Sequence, residues 1–212
     1  KNLIMKHLKI AVIALFALVA VSNVSAQDEN NPFVVGFGVN VVDFNNNTEF
    51  VDQLKDLGES SDWNFLPSIS RISGEKYLDK GFSLQFAGSL SEITTLNTLD
   101  DVDFLYYSID AIVKYDLNML IGDTSWFDPY VYLGGGYVSV DDSGEGMINA
   151  GFGFNTWFND NLGLNFQTGT KKGFSDEVKS HFQSSVGVVF KFGGKDSDND
   201  GVYDKFDACP EV

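Results

Sequence analysis

Apolar and polar residues alternate over most of the chain beyond residue 30. In GFSLQFAGSL, residues 81–90, Phe82, Leu84, Phe86 and Leu90 share one face, and Ser83, Gln85, Ala87 and Ser89 share the other. Successive side chains of a strand point to opposite sides, so this pattern predicts a strand with one greasy and one polar face. The same alternation sets Phe33, Val35, Phe37, Val39 and Val41 against Gly36, Gly38 and Asn40. It sets Leu105, Tyr107, Ile109, Ala111 and Val113 against Ser108, Asp110 and Lys114, and Ile148, Ala150, Phe152 and Phe154 against Asn149, Gly151, Gly153 and Asn155. Leu162, Leu164 and Phe166 oppose Gly163, Asn165 and Gln167; Val186, Val188, Phe190 and Phe192 oppose Ser185, Gly187 and Lys191. Asn64 to Ser73 and Tyr130 to Val140 are less regular members of the set. The pattern predicts about eight strands of roughly ten residues, with no long amphipathic helix.

Strands of that length exceed the ~5–6 residues usual in soluble sheets. The polar face is built from Gly, Asn, Gln and Ser, which suit a crowded, wet interior. The apolar face is rich in Phe, Val and Leu, with rings toward its ends: Phe33, Trp63, Tyr77, Phe104, Tyr115, Trp126, Trp157 and Phe192. Aromatic belts sit where a membrane meets water. The expected fold is therefore all-β: an eight-stranded antiparallel up-and-down transmembrane barrel, greasy outside and polar inside. A closed barrel leaves no unpaired edge in lipid. A soluble lipocalin-like barrel is the alternative.

An even strand number puts both barrel ends on one side. The connections on the far side are then Asp43 to Asp62, which is the longest and carries Phe50, Leu54 and Leu57 at helical spacing, followed by Glu92 to Asp103, Asp141 to Glu145, and Gly173 to Ser180. On the near side, Gly74 to Lys80 and Phe158 to Asn161 read as turns. Asp116 to Asp128 is long for a turn, and a tucked-in loop or a partner contact is the only account of it. An eight-stranded barrel is just wide enough for its own side chains. Lys114 and Lys191 inside, near Asp110, are expected to pair across the lumen, because buried charge is expensive unless paired.

Residues 1–26 read as a signal peptide. Met5-Lys6-His7-Leu8-Lys9 is a basic start, Ile10 to Val21 an apolar core too short to span a bilayer, and Val24-Ser25-Ala26 a small-residue cleavage pattern. Gln27 is then the mature N-terminus, and loss of Lys1, Lys6 and Lys9 takes the net charge from −16 to −19. So acidic a protein is repelled by phosphate backbones, which excludes nucleic acid as a partner. Cys209 is the single cysteine, so an oxidising compartment offers it no intrachain partner.

Candidate chemistry is sparse. His181 is the one histidine of the mature chain, at the rim of the last strand, and no spacing sets it beside a serine and a carboxylate. Gly134-Gly135-Gly136 lacks the Lys-Ser/Thr of a phosphate loop and instead makes room for side chains from other strands. No catalytic residue and no enzyme activity are expected. The tail DSDNDGVYDKFDACPEV, 196–212, differs in kind. Asp196, Asp198 and Asp200 occupy positions 1, 3 and 5 of a calcium loop, Gly201 the sharp turn, Val202 a carbonyl position, and Asp204 and Asp207 positions 9 and 12. Clustered carboxylates repel one another, and Ca²⁺ relieves that. Position 12 is Asp rather than Glu, and Pro210 stops a following helix, so this is no helix–loop–helix sensor.

The tract DxDxDGxxDxxDxCP resembles the thrombospondin type 3 repeat. A signal peptide, an eight-strand barrel (27–193) and such a linker (194–212) in that order resemble the OmpA family of Gram-negative outer-membrane proteins, in the variant common in Bacteroidetes-type bacteria. WFDPYVYLGGGY, 126–137, and LGLNFQTG, 162–169, look like such barrels. VGVVFKF, 186–192, is similar to the signal read by the barrel-assembly machinery, with Phe192 as its terminal aromatic. The resemblance implies a structural protein of the cell outer membrane with its C-terminal segment in the periplasm. It also implies contact with outer-membrane lipid, and peptidoglycan binding only through a domain beyond residue 212. The alternative is an accessory or recognition subunit of a larger outer-membrane complex; a narrow channel is the lesser reading.

Overall fold

The computed structural model describes residues 27–28, 30–44, 64–96, 99–122, 124, 126–175, 177–194, 197–198, 203–204 and 208–209. The strands are β1 (Phe33–Asp43), β2 (Asn64–Phe65), β3 (Arg71–Asp79), β4 (Phe82–Leu96), β5 (Leu99–Asp116), β6 (Phe127–Val140), β7 (Ser143–Trp157), β8 (Leu162–Gly173) and β9 (His181–Phe192). One short helix, α1 (Asn118–Ile121), joins β5 to β6. Sequential strands pair antiparallel, and β9 closes on β1 from Phe33↔Phe192 to Asp43↔Phe182. β3 pairs with the first half of β1, and the two-residue β2 pairs beside its far end, at Val41↔Phe65. The two pieces share one stave, so the closed ring has eight positions. Both its ends, Phe33 and Phe192, lie at one rim, here the terminal rim; Asp43 and His181 mark the loop rim.

The two faces separate as the alternation predicts. Phe37, Ile72, Phe86, Leu105, Ile109, Leu133, Ile148 and Val188 are exposed on the outside, while Asn40, Gln85, Ser89, Ser108, Asn149, Gln167 and Ser185 are buried inside. A soluble barrel requires the reverse arrangement. Here the low-cost environment for the outer face is hydrocarbon. The rings Phe33 and Phe192 stack at 5.9 Å, Phe82 lies 4.8 Å from Tyr115, and Phe127, Phe154 and Phe166 form a ladder at 5.2 and 5.4 Å. These rings girdle the terminal rim. Tyr107 and Tyr137, 6.5 Å apart, stand toward the loop rim.

Several expectations are corrected. Three of the expected girdle rings point inward: Tyr77 and Phe104 line internal spaces, and Trp157 is wholly buried. Each falls on the inward parity of its strand, which outranks the bulk of the ring. Asn64 to Ser73 is not one strand, because Leu66 to Ser70 interrupt the stave. Gly74 to Lys80 is not a turn: the strand runs to Asp79, and the reversal is made by Lys80 and Gly81 at φ 51° and 80°. Two consecutive left-handed residues give the twist that a two-residue hairpin needs. Glu92 to Asp103 is not a loop, since β4 and β5 stay paired to Leu96↔Leu99 through an irregularity between Ile93 and Thr95. Strands of up to 18 residues thus extend past the ten-residue pattern on the loop side. The first connection, 45–63, with Trp63, lies outside the described residues.

Candidate functional site

The polar lumen is where charge collects. The alternation brings Arg71, Glu75, Asp110, Lys114, Asp128, Lys171 and Lys191 inside, all buried. Lys114 does not reach Asp110 as expected. Its Nζ sits 2.5 Å from Glu75 Oε2 and 4.1 Å from the Tyr130 ring centre. Gln85 Nε2 donates to the same Glu75 oxygen at 3.0 Å, and Arg71 donates to Ser89 at 2.9 Å and to Gln85 at 3.4 Å. Asp110 belongs to a second group. Lys171 Nζ lies 2.7 Å from both its oxygens, Ser108 donates at 3.1 Å and Asn149 at 2.7 Å. Lys191 lies instead over the Trp157 ring, 4.2 Å from its centre. The expected Lys114–Lys191–Asp110 grouping is therefore replaced by Lys114–Glu75 and Lys171–Asp110. Glu75, Arg71 and Lys171 carried no distinguishing motif, though their inward parity could have marked them.

The lumen is closed at both rims by apolar groups the sequence reading missed. At the loop rim Val42, Phe44, Ile93, Tyr106, Val138, Val140, Met147 and Val178 form a buried cluster. At the terminal rim Val34, Val189 and Trp157 form another. Between them, among the described residues, small cavities remain. One of about 30 Å³ lies among Glu75, Ser83, Lys114 and Asn155, and one of about 10 Å³ among Arg71, Asp110 and Lys171. Each has room for roughly one or two waters. Glycines permit this filling: a Cβ on Gly136 would strike the Asp110 carboxylate, and one on Gly153 would strike the Tyr130 ring. The expected role of the Gly134–Gly136 run is thus visible at Gly136. A larger space of about 300 Å³ opens at the loop rim between Phe44, Phe104, Val140 and Val178.

His181 is at the loop rim, as expected, but not exposed. Nε2 is 3.1 Å from the Tyr106 hydroxyl, Nδ1 is 2.9 Å from the Lys179 carbonyl, and the ring leans on Phe44 at 4.6 Å. Beside it Glu145 accepts the backbone N–H groups of Ser175 and Val178, which ties the last far-side loop to β7. At the terminal rim Asp128 accepts Trp157 Nε1 at 2.5 Å and Asn118 Nδ2 at 3.1 Å. Asn118 also donates to the Phe127 carbonyl at 3.0 Å, so the long connection 116–128 is a tucked-in loop built around α1.

Of the calcium-loop residues, Asp196, Asp200, Val202 and Asp207 lie outside the described residues. Asp204 accepts both the backbone N–H and the hydroxyl of Ser197 at 2.7 Å, which folds the start of the tail toward its ninth loop position. Cys209 is exposed.

No protein-family model and no characterised protein sequence matches the chain. Among solved structures it is similar to Neisserial surface protein A, at 20% identity and a TM-score of 0.52, covering 76% of this chain and 97% of that one. The N-terminal β-barrel domain of Pseudomonas aeruginosa OprF aligns at 18% identity and a TM-score of 0.47, covering 78% of this chain and all of that one. The outer membrane protein OprG of the same organism aligns at 13% and 0.49, over 80% of this chain and 100% of that one. The protein has the closed eight-stranded antiparallel fold of outer-membrane β-barrels.

Proposed function

We propose that the chain is a structural outer-membrane protein of the OmpA type, not an enzyme. Its barrel sits in outer-membrane lipid, and its acidic C-terminal segment enters the periplasm as a calcium-stiffened linker. The observation that carries this is the inverted barrel: an apolar exterior banded by rings around a lumen filled by its own ion pairs. A lumen filled by its own side chains supports an anchoring role over a wide channel. The barrel ends at the rim where it begins, so the tail leaves on the side of the N-terminus. A chain exported by residues 1–26 and inserted by the barrel-assembly machinery keeps that side in the periplasm. Peptidoglycan would be reached only through a domain beyond residue 212.

Asp196, Asp198, Asp200, Asp204 and Asp207, with the Val202 carbonyl, supply the hard oxygens that Ca²⁺ prefers. Limited proteolysis of the outer-membrane fraction tests both parts. The barrel should resist, and residues 195–209 should be cut with chelator but protected with calcium. Equal digestion rejects the site, and recovery in the soluble fraction rejects the membrane assignment.

A second reading, a subunit of a larger envelope complex, is favoured by α1, which leaves Met119, Leu120 and Ile121 exposed at the terminal rim. Site-directed crosslinking from Leu120 should trap a protein neighbour if it holds; a product of unchanged mass counts against it.

A further inference from the structure

Signal cleavage after Ala26 would do more than release the chain. Gln27 is seated at the terminal rim, in the cavity lined by Asp116, Asp128, Tyr77 and Lys114. Its backbone N–H faces the same small cavity as the Asp128 carboxylate and is among the groups that favour that carboxylate's charge. Its side-chain Nε2 donates to the Pro32 carbonyl at 2.9 Å, which fixes the residue from a second direction. Asp28 caps the following turn, accepting the N–H groups of Asn30 and Asn31 at 2.9 and 3.0 Å. These contacts hold Gln27 and Asp28 at the terminal rim, where Gln27 shares its cavity with a buried acid.

In the precursor the backbone nitrogen of Gln27 is a neutral amide. Hydrolysis of the Ala26–Gln27 bond turns it into an ammonium with three donors and a full positive charge. Its surroundings favour that charge. Asp128 is buried and otherwise held by the Trp157 and Asn118 N–H groups. Asp116 is near enough to repel it and Lys191 near enough to attract it, so two acids at this rim face one lysine. The Lys114 ammonium in the same cavity is committed to Glu75.

We propose that the α-ammonium freed at Gln27 forms a buried ion pair with Asp128, so that removal of the signal peptide completes and locks the terminal rim of the barrel. This rests on the cleavage reading above. In the precursor the buried carboxylate meets only neutral N–H donors; cleavage supplies the opposite charge that a buried acid otherwise lacks, so the mature rim holds more tightly than the precursor rim. The seat also opposes a competing reaction. A free N-terminal glutamine amine can attack its own side-chain Cδ and expel Nε2 as ammonia. Protonation at Asp128 removes the attacking lone pair, and the Pro32 contact holds the amide away.

The test uses the full chain, expressed with its signal and purified from the outer membrane. Intact mass and N-terminal sequencing should give a chain starting at Gln27 that has not lost ammonia. A start elsewhere overturns both the cleavage reading and the proposal. A start at Gln27 with ammonia lost overturns the proposal alone. Insertion of one serine between Ala26 and Gln27 moves the ammonium off its seat, and should lower the midpoint temperature of barrel unfolding by several degrees. In an Asp128→Asn background the same insertion should change nothing. If Asp128→Asn does not fold, Asp116→Asn, which leaves the pair intact, should preserve the insertion effect. An insertion without effect in the unaltered protein, or with equal effect beside Asp128→Asn, overturns the ion pair and leaves the cleavage site standing.

Discussion

Replacing Lys171 with methionine removes the cation that holds Asp110 while keeping most of the side-chain volume. Lys171 Nζ is 2.7 Å from both Asp110 oxygens, and both residues are buried. At that separation and an effective dielectric of about 20, the gross attraction is about 6 kcal/mol. Desolvation offsets much of it, so the pair itself adds little over a well-fitted apolar pair. The variant loses more than that net value, because it strands a carboxylate with only Ser108 and Asn149 as donors. The expected loss is about 3–5 kcal/mol. Joining Asp110→Leu to Lys171→Met removes the stranded charge and should recover most of the loss. The measurement is urea unfolding in lipid vesicles, followed by tryptophan fluorescence and by the mobility of folded and unfolded chains on gels. A single variant within about 1 kcal/mol of the unaltered protein would refute the reasoning, since 2.7 Å would then not mark a functional pair. A double variant as weak as the single one would show that the stranded charge is not the cause.

Other outcomes follow from the same geometry. Leu133→Arg, at the middle of the exposed outer face of β6, should cost about 2–4 kcal/mol in vesicles, and the same change at Lys80, in the tight turn at the terminal rim, almost nothing. Trp157→Phe keeps an aromatic ring but drops the indole N–H that donates to Asp128, with an expected loss of about 1.5–3 kcal/mol in the same unfolding assay. Gly136→Val drives a side chain into Asp110 and should cost about 1–3 kcal/mol through overpacking; a neutral result would mean the strand pair there can spread.

The period of two by itself determined the greasy and polar faces, the strand number and the even parity that returns the chain to its starting rim. These are local properties: side-chain direction follows strand geometry residue by residue, and one face must be apolar throughout to sit in lipid. The same rule marked Lys114, Asp110 and Lys191 as internal. It did not mark where the pattern stops mattering. Beyond the lipid band β4 and β5 continue as paired strands through acidic sequence that reads as loop. At the rims, inward positions such as Phe44, Val140 and Trp157 become apolar because they seal the lumen.

Which charges meet was decided only by closure of the barrel. Glu75 and Lys114 are 39 residues apart and Asp110 and Lys171 are 61 apart, brought together by strand register and ring curvature. Nothing local distinguishes Lys171 from Lys191 as the partner of Asp110. The position of Gln27 beside Asp128 is of the same kind: nothing near residue 27 in the sequence points to that acid, and the two line one cavity only because β1 and β6 share a rim.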